Sequence, residues 1–163
     1  MEIQFEYGHG FMKADLPDNT DVFVPGETIP DPEHLPTEEL EAVTLESIRN
    51  PLGMPKLTEL AKEGSKVTII FPDRVKGGEQ ETSHRKLSIR LILQELYSVG
   101  VKKEDILLIC SNGLHRRNTE KELLSVLGSE LYHAFADSGQ IINHDSEDYD
   151  HLIDLGTTAQ GDQ

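Results

Sequence analysis

The sequence has 163 residues and a mass of 18.2 kDa, enough for one domain, and its 30 acidic and 15 basic residues give a formal net charge of −15. So acidic a chain is unsuited to binding the phosphates of nucleic acid or an anionic membrane surface. One cysteine excludes an internal disulfide framework, and neither a signal peptide nor an apolar run of about 18 residues is present. These observations predict a cytoplasmic protein that binds neither nucleic acid nor membrane.

The basic residues are concentrated in the middle of the chain. Residues 61–120 hold 11 of the 15 lysines and arginines, whereas only one lies after residue 120. One interpretation is a set of solvated helix faces, which accounts for Lys102 and Lys103. The other is a local anion-binding site within an acidic molecule.

The first 36 residues predict a β-rich segment followed by a connector. Residues 3–7 alternate apolar and polar side chains, as a half-buried strand does, and residues 11–16 are its predicted hairpin partner. Four prolines between positions 25 and 36 indicate an extended connector. We therefore interpret residues 1–163 as a single domain with a lead-in over 1–35 and an α/β core over 36–163.

The next part of the chain predicts two helices and then a βαβ unit. The helices are expected over 37–50 and 56–62. Residues 67–71 and 106–110 are short apolar runs, typical of strands buried on both faces. Apolar residues recur at helical spacing between them, over 82–98. Strand, helix and strand in this order predict two parallel strands joined by a right-handed crossover.

The rest of the chain completes an α/β pattern. A capping box at Thr119 predicts a helix to Gly128, and a further helical turn is expected over 129–135. Residues 140–144 predict a third parallel strand, followed by an acidic loop and a last short strand over 151–155. The predicted fold class is α/β, with a parallel-centred sheet, helices on both faces and a β-rich N-terminal segment.

Polar loops that contain glycine follow both central strands, at residues 72–78 and 111–118. Open α/β sheets bind ligands at the carboxyl ends of their strands, so neighbouring strands would bring both loops to one crevice. Guanidinium groups, a flexible backbone and a nearby helix N-terminus would suit a phosphate or carboxylate there. The candidate residues of the crevice are Asp73, Arg74, Lys76, Gly113, His115, Arg116 and Arg117.

Some of these residues also have a purely structural interpretation. His115 is either a general acid–base, because imidazole titrates near neutrality, or a loop histidine bonded to backbone. Cys110 and His115 suggest a thiol nucleophile with its base, but Cys110 ends a buried strand, which favours a small core residue. Residues 144–151 carry acids and two histidines without the spacing that calcium or zinc requires, so we predict no metal site.

Residues 112–119 (NGLHRRNT) resemble the G-x-H-R-x-x-T segment of the nickel-pincer lactate racemase family. The aspartate-led loop at Asp73 takes the place of that family's D-x-T-R-P segment. An N-P-L-G turn at residues 50–53 and the order of the predicted elements are also similar. The resemblance covers nearly the whole chain, but only the amino-terminal portion of a family member.

The resemblance implies a racemase or epimerase of 2-hydroxy acids that uses a nickel-pincer nucleotide. In such an enzyme one histidine takes the hydroxyl proton while hydride passes from C2 to the cofactor, and a second histidine serves the other face. His115 matches the first of these histidines, and Asp73 and Arg116 match the family's aspartate and arginine. The family's other arginine falls on Lys76, with Arg74 nearby, and a lysine lacks the bidentate fork of arginine.

The family's cofactor-tethering lysine, nickel-binding histidine and second catalytic histidine would all lie beyond residue 163. We therefore predict that the chain is the amino-terminal domain of a longer protein or a separately encoded first domain. By itself it is expected to be inactive until a C-terminal domain completes the site. The alternative, from a different functional class, is a non-catalytic α/β module that binds a phosphate-bearing ligand or a partner subunit.

Overall fold

The computed structural model describes residues 1–24, 26–30, 35–77 and 83–161. Parts of the predicted connector, Gly78 of the first polar loop and Thr82 at the expected start of the long helix lie outside these residues. The chain divides into two compact units, Met1–Pro36 and Thr37–Gln163. No helix in the described ranges is long and apolar enough to cross a bilayer.

The first unit contains the predicted β-hairpin. Strands β1 (Glu2–Tyr7) and β2 (Gly10–Asp15) pair antiparallel, with Phe5 opposite Met12. Gly8 has a φ of 59° in the two-residue turn between them, a left-handed conformation that favours glycine. The alternation over residues 3–7 therefore predicted this element correctly.

The second unit contains the remaining helices and strands. They are α1 (Thr37–Arg49), α2 (Leu57–Leu60), β3 (Val67–Pro72), α3 (Arg85–Ser98), β4 (Ile106–Ser111), α4 (Glu120–Leu127), α5 (Ser129–Ala136) and β5 (Ile141–Asn143). The strand expected over 151–155 is wrong, since residues 152–157 have no regular secondary structure. Ile153 and Leu155 are 83% and 95% exposed there, because a short apolar stretch becomes a strand only where it finds a partner strand.

The sheet of the second unit is parallel and has the order β3-β4-β5. Phe71 lies opposite Cys110, which in turn lies opposite Asn143, so all three strands end at the same edge. Because sequential parallel strands are joined by right-handed crossovers, α3 and the α4–α5 pair lie over the same face. The predicted βαβ unit and the α/β fold class are confirmed.

The hydrophobic core lies between that face of the sheet and the helices. Phe71, Leu108 and Cys110 point into it and pack with buried residues of α3, α4 and α5 such as Leu96 and Phe135. The alternate residues of the strands point the other way, and Ile70 is 67% exposed. The expectation that residues 67–71 are buried on both faces is therefore wrong. Among the described residues the helical layer covers one face, whereas the sequence predicted helices on both.

The capping box at the start of α4 is present. The backbone N–H of Glu122 donates to Thr119 Oγ1 at 3.3 Å, and the backbone N–H of Thr119 donates to Glu122 Oε2 at 2.7 Å. These two bonds satisfy backbone donors that would otherwise lack a partner in the first turn. They also hold the Glu122 side chain at the end of the loop that follows β4.

Candidate functional site

Asp73 and His115 meet at the carboxyl ends of β3 and β4. Asp73 follows β3 directly and is 2% exposed, whereas the His115 side chain is 42% exposed. His115 Nδ1 lies 2.5 Å from Asp73 Oδ2. A tight turn presents the histidine, since its backbone N–H donates to the Asn112 carbonyl at 3.0 Å. The prediction that the two loops meet, with Asp73 beside His115, is thereby confirmed.

The Asp73–His115 contact orients the imidazole. A carboxylate at Nδ1 accepts the Nδ1–H hydrogen bond, so the lone pair of the neutral ring lies on Nε2, on the side away from Asp73. The other carboxylate oxygen, Asp73 Oδ1, is buried and has no hydrogen-bond partner among the described residues. This oxygen is free to accept a hydrogen bond from a water or a ligand.

Three asparagines hold both ends of the loop that carries His115. Asn118 Nδ2 donates to Asn112 Oδ1 at 2.7 Å, and Asn112 Nδ2 donates to Asn143 Oδ1 at 2.9 Å. Asn143 Nδ2 donates back to the Asn118 carbonyl at 2.6 Å. Asn112 and Asn118 are 2% and 7% exposed, so this is an interior network. Sequence reasoning missed it, although an asparagine at the end of an apolar strand is a detectable signal.

The loop that carries Asp73 is fixed by two further contacts. The Arg85 guanidinium donates to the Asp73 carbonyl at 3.0 Å and to the Lys76 carbonyl at 2.5 Å, across a 3₁₀ turn over Arg74–Lys76. The backbone N–H of Arg74 lies 3.4 Å from Asn118 Oδ1, which joins this loop to the asparagine network. Arg85 was also missed, because its partners are backbone carbonyls that no motif reveals.

Two of the candidate arginines converge on Glu122. Arg74 Nε lies 2.8 Å from Glu122 Oε1, and Arg116 NH2 lies 2.7 Å from the same oxygen. Arg116 NH1 donates to Glu122 Oε2 at 3.0 Å, so this pair is bidentate. The Arg116 hydrogen bond, followed by the Thr119 backbone N–H, lowers the pKa of Glu122 from 4.5 to about 2. Glu122 was expected only as a helix cap.

The three remaining candidate residues are Lys76, Gly113 and Arg117. Lys76 is exposed and its carbonyl serves Arg85. Gly113 has a φ of +58°, and a Cβ there would meet open space, so this turn needs glycine for its backbone conformation. Arg117 is exposed, and its carbonyl accepts from Arg116 NH1 at 2.9 Å.

Cys110 lies in the core next to this site. Its side chain is fully buried, and Asn118 Nδ2 lies 3.1 Å from its Sγ. Burial, and then the charge of Asp73, raise the pKa of the Cys110 thiol to about 11. The thiol is therefore neutral near pH 7, which fits a small core residue rather than a nucleophile.

Comparison with known proteins identifies the family of the chain. Residues 7–163 match the family described as the lactate racemase N-terminal domain. The chain belongs to this family. The resemblance seen in residues 112–119 is thus confirmed over nearly the whole sequence.

Two lactate racemases are related to this lactate racemase N-terminal domain. The enzyme of Thermoanaerobacterium thermosaccharolyticum is 23% identical over 121 residues, which cover 74% of the chain and 26% of that relative. The enzyme of Lactiplantibacillus plantarum is 28% identical over 115 residues, which cover 71% of the chain and 25% of the relative. The matches thus span about a quarter of the length of either relative.

A solved structure has the same fold as this lactate racemase N-terminal domain. The lactate racemase apoprotein from Thermoanaerobacterium thermosaccharolyticum aligns with a TM-score of 0.58 and 21% sequence identity. The alignment covers 99% of the chain and 34% of that protein. The α/β arrangement described above is therefore the fold of the corresponding third of a lactate racemase.

Proposed function

We propose that this chain supplies the first acid–base residue, His115, of a lactate racemase-like isomerase that acts on a small 2-hydroxy acid. The observation that carries the proposal is the contact between His115 Nδ1 and the buried Asp73 carboxylate at 2.5 Å. The match to the lactate racemase N-terminal domain supports the reaction class. The proposal also includes a C-terminal domain of the same protein and a cytoplasmic location, both of which were predicted from the sequence.

In this proposal the residues of the chain move one proton. His115 Nε2 accepts the proton of the substrate's C2 hydroxyl, and Asp73 stabilises the imidazolium that forms. On the other face, the second histidine that the resemblance implies would return a proton to the oxygen. When bound, a nickel-pincer nucleotide would supply the acceptor and donor of the C2 hydride.

The residues at this edge of the sheet fit the anionic groups of such a cofactor or substrate. Arg74, Lys76 and Arg116 carry positive charge beside the Asp73–His115 pair, and guanidinium groups bind phosphate and carboxylate well. The described ranges contain no group of three or more His, Cys, Asp or Glu side chains that could hold a metal ion. The proposal accordingly assigns no nickel ligand to the described residues.

The test is the turnover of the protein that contains this chain, loaded with the nucleotide cofactor. We expect His115→Ala to lower the isomerisation of L-lactate roughly 10²–10⁴-fold, the usual contribution of a positioned acid–base. Chiral chromatography of the product measures the rate, and the unfolding temperature of the same preparation shows whether the variant is folded. His133→Ala, a histidine on the helix α5, is the control that should keep full turnover.

Normal turnover in a folded His115→Ala protein would contradict the assignment. If the wild-type protein bound inorganic phosphate at this edge but isomerised no 2-hydroxy acid, the non-catalytic binding module would be the correct function.

A further inference from the structure

The loop that carries His115 is closed at its base by one hydrogen bond between side chains. Asn112 begins this loop and Asn118 ends it, and Asn118 Nδ2 donates to Asn112 Oδ1 at 2.7 Å. His115 lies midway between the two asparagines in sequence. A loop whose ends are joined has fewer conformations open to it than a free one, so this bond restricts where the imidazole can lie.

Asn118 also contacts the carboxyl ends of the neighbouring strands. Its backbone N–H donates to Asn143 Oδ1 at 3.2 Å, and its carbonyl accepts from Asn143 Nδ2 at 2.6 Å, which joins it to the end of β5. Its Oδ1 lies 3.4 Å from the backbone nitrogen of Arg74, in the loop that follows β3. Asn118 is 7% exposed, so these contacts are interior.

The three polar contacts of this side chain suit an asparagine. Nδ2 has two hydrogens to donate, and it faces Asn112 Oδ1 and Cys110 Sγ. Oδ1 is an acceptor, and it faces the backbone N–H of Arg74. An aspartate at this position would place an oxygen against Asn112 Oδ1, and an apolar residue would leave that buried oxygen without this donor.

The start of α4 does not account for the Asn118 side chain. Thr119 is the N-cap of that helix, and its capping box with Glu122 satisfies the first turn. Asn118 precedes the cap, and its carboxamide is directed at the two loops instead. Its contacts therefore concern the loops rather than the helix.

The same two loops are joined a second time at the candidate site. Asp73 Oδ2 lies 2.5 Å from His115 Nδ1. The residue after Asp73 contacts Asn118, so both bridges connect the same short segments of chain. A displacement of the loops at one bridge should therefore be transmitted to the other.

We propose that Asn118 is a positioning residue that keeps His115 against Asp73. By doing so it maintains the Nδ1–H tautomer of the imidazole, in which the lone pair of Nε2 can accept a proton. The inference rests on the proposed function, because it concerns the residue that fixes the acid–base group. Asp73 orients the ring directly, and Asn118 fixes the loop from which the ring projects.

The test is the tautomer of His115 in the full 163-residue chain. NMR shifts of the two ring nitrogens report it at about pH 9, where an ordinary imidazole is neutral. We expect the wild type to adopt mainly the Nδ1–H form. Asn118→Ala should raise the ratio of the Nε2–H to the Nδ1–H form about tenfold, the factor that corresponds to the loss of one hydrogen bond.

Two further variants make the measurement specific. Val126→Ala is the control for a general loss of stability, because Val126 is a core residue of α4 at 1% exposure. It should leave the tautomer ratio unchanged. Asn118→Ser keeps a hydroxyl that can donate and accept, so it should change the ratio in the same direction by a smaller factor.

An unchanged ratio in folded Asn118→Ala would overturn the proposal. If that variant did not fold, an unchanged ratio in Asn118→Ser would overturn it in the same way. An equal change in Val126→Ala would overturn it as well, since the cause would then be a general loss of stability.

Turnover provides a second readout, in the protein that contains this chain and is loaded with the nucleotide cofactor. Asn118→Ala should lower kcat about tenfold at unchanged KM, because the imidazole acts in the transition state. Full turnover in a variant whose tautomer ratio has changed would overturn the proposal. If the wild type isomerised no 2-hydroxy acid, the proposed function would fail, while the tautomer of His115 would still decide the role of Asn118.

Discussion

At the residue scale, the site depends on carboxylates whose partners come from other parts of the chain. Asp73 is separated from His115 by 42 positions in sequence, and their contact exists because β3 and β4 end at one edge. Glu122 similarly joins Arg74 of one loop to Arg116 of the other. A buried or bonded carboxylate thus contacts His115 and each of the two arginines.

The lowered pKa of Glu122 predicts a contribution to acid stability. Because its pKa is about 2 in the folded chain against an ordinary value of 4.5, its stabilising effect is fully present above pH 4.5. The effect is lost as the pH falls from 4.5 towards 2. We expect the unfolding temperature of the wild type to exceed that of Glu122→Gln above this window, and the difference to shrink within it.

Thermal unfolding followed by circular dichroism over that pH range measures the effect. Glu120→Gln is the control, because it removes an exposed carboxylate from the same first turn. A difference between wild type and Glu122→Gln that stays constant with pH would show that the ion pairs contribute nothing to stability.

At the element scale, the strands of the second unit are asymmetric. The residues that face the helices are buried, such as Ile106 at 1% exposure, whereas Ile70 on the opposite face is 67% exposed. Parallel sheets generally have both faces covered, which makes this exposed apolar face unusual. An isoleucine that faces the helices should therefore contribute much more to the free energy of unfolding than one on the opposite face.

Substitution of one isoleucine on each face measures this asymmetry. We expect Ile106→Ala to lower the free energy of unfolding by about 2–5 kcal/mol, the usual cost of an alanine that leaves a cavity in a core. Ile70→Ala should cost less than about 1 kcal/mol, because most of its side chain is already in contact with water. Urea denaturation of both variants gives the comparison, and equal losses would contradict the described burial.

At the scale of the whole molecule, the core belongs to one of the two units. The buried hydrophobic residues of the described chain lie between Phe71 and Phe135, all within Thr37–Gln163. The first unit has a two-stranded sheet, and an isolated hairpin of this kind is marginally stable in water. The stability of the chain should therefore reside mainly in the second unit.

Removal of residues 1–36 tests this distribution and the interpretation of the chain as one domain with a lead-in. We expect residues 37–163 to unfold cooperatively in urea and to keep the helical circular dichroism of the second unit. Loss of cooperative unfolding in this shortened chain would show that the hairpin unit is an integral part of the core. The full chain, measured under the same conditions, is the reference.

Local patterns in the sequence predicted most of the secondary structure and the candidate loops. Alternation predicted β1, apolar runs predicted β3 and β4, and the spacing of leucines and isoleucines predicted α3. These signals depend on residues that are close in sequence, so they can be recognised without knowing which distant segment each element contacts. The His115 segment also identified the family, because its residue types and spacing are specific.

Tertiary structure decided which residues meet, since contacts depend on the relative placement of distant segments. The asparagine network, the carbonyls bonded by Arg85 and the pairing of Glu122 with two arginines join residues that no local pattern relates. An apolar run likewise indicates an interior strand. It does not show which face of the sheet the helices cover, or whether a last segment pairs with the edge strand of the sheet. Helix or strand propensity is a property of a segment, whereas burial and charge pairing are properties of two segments together.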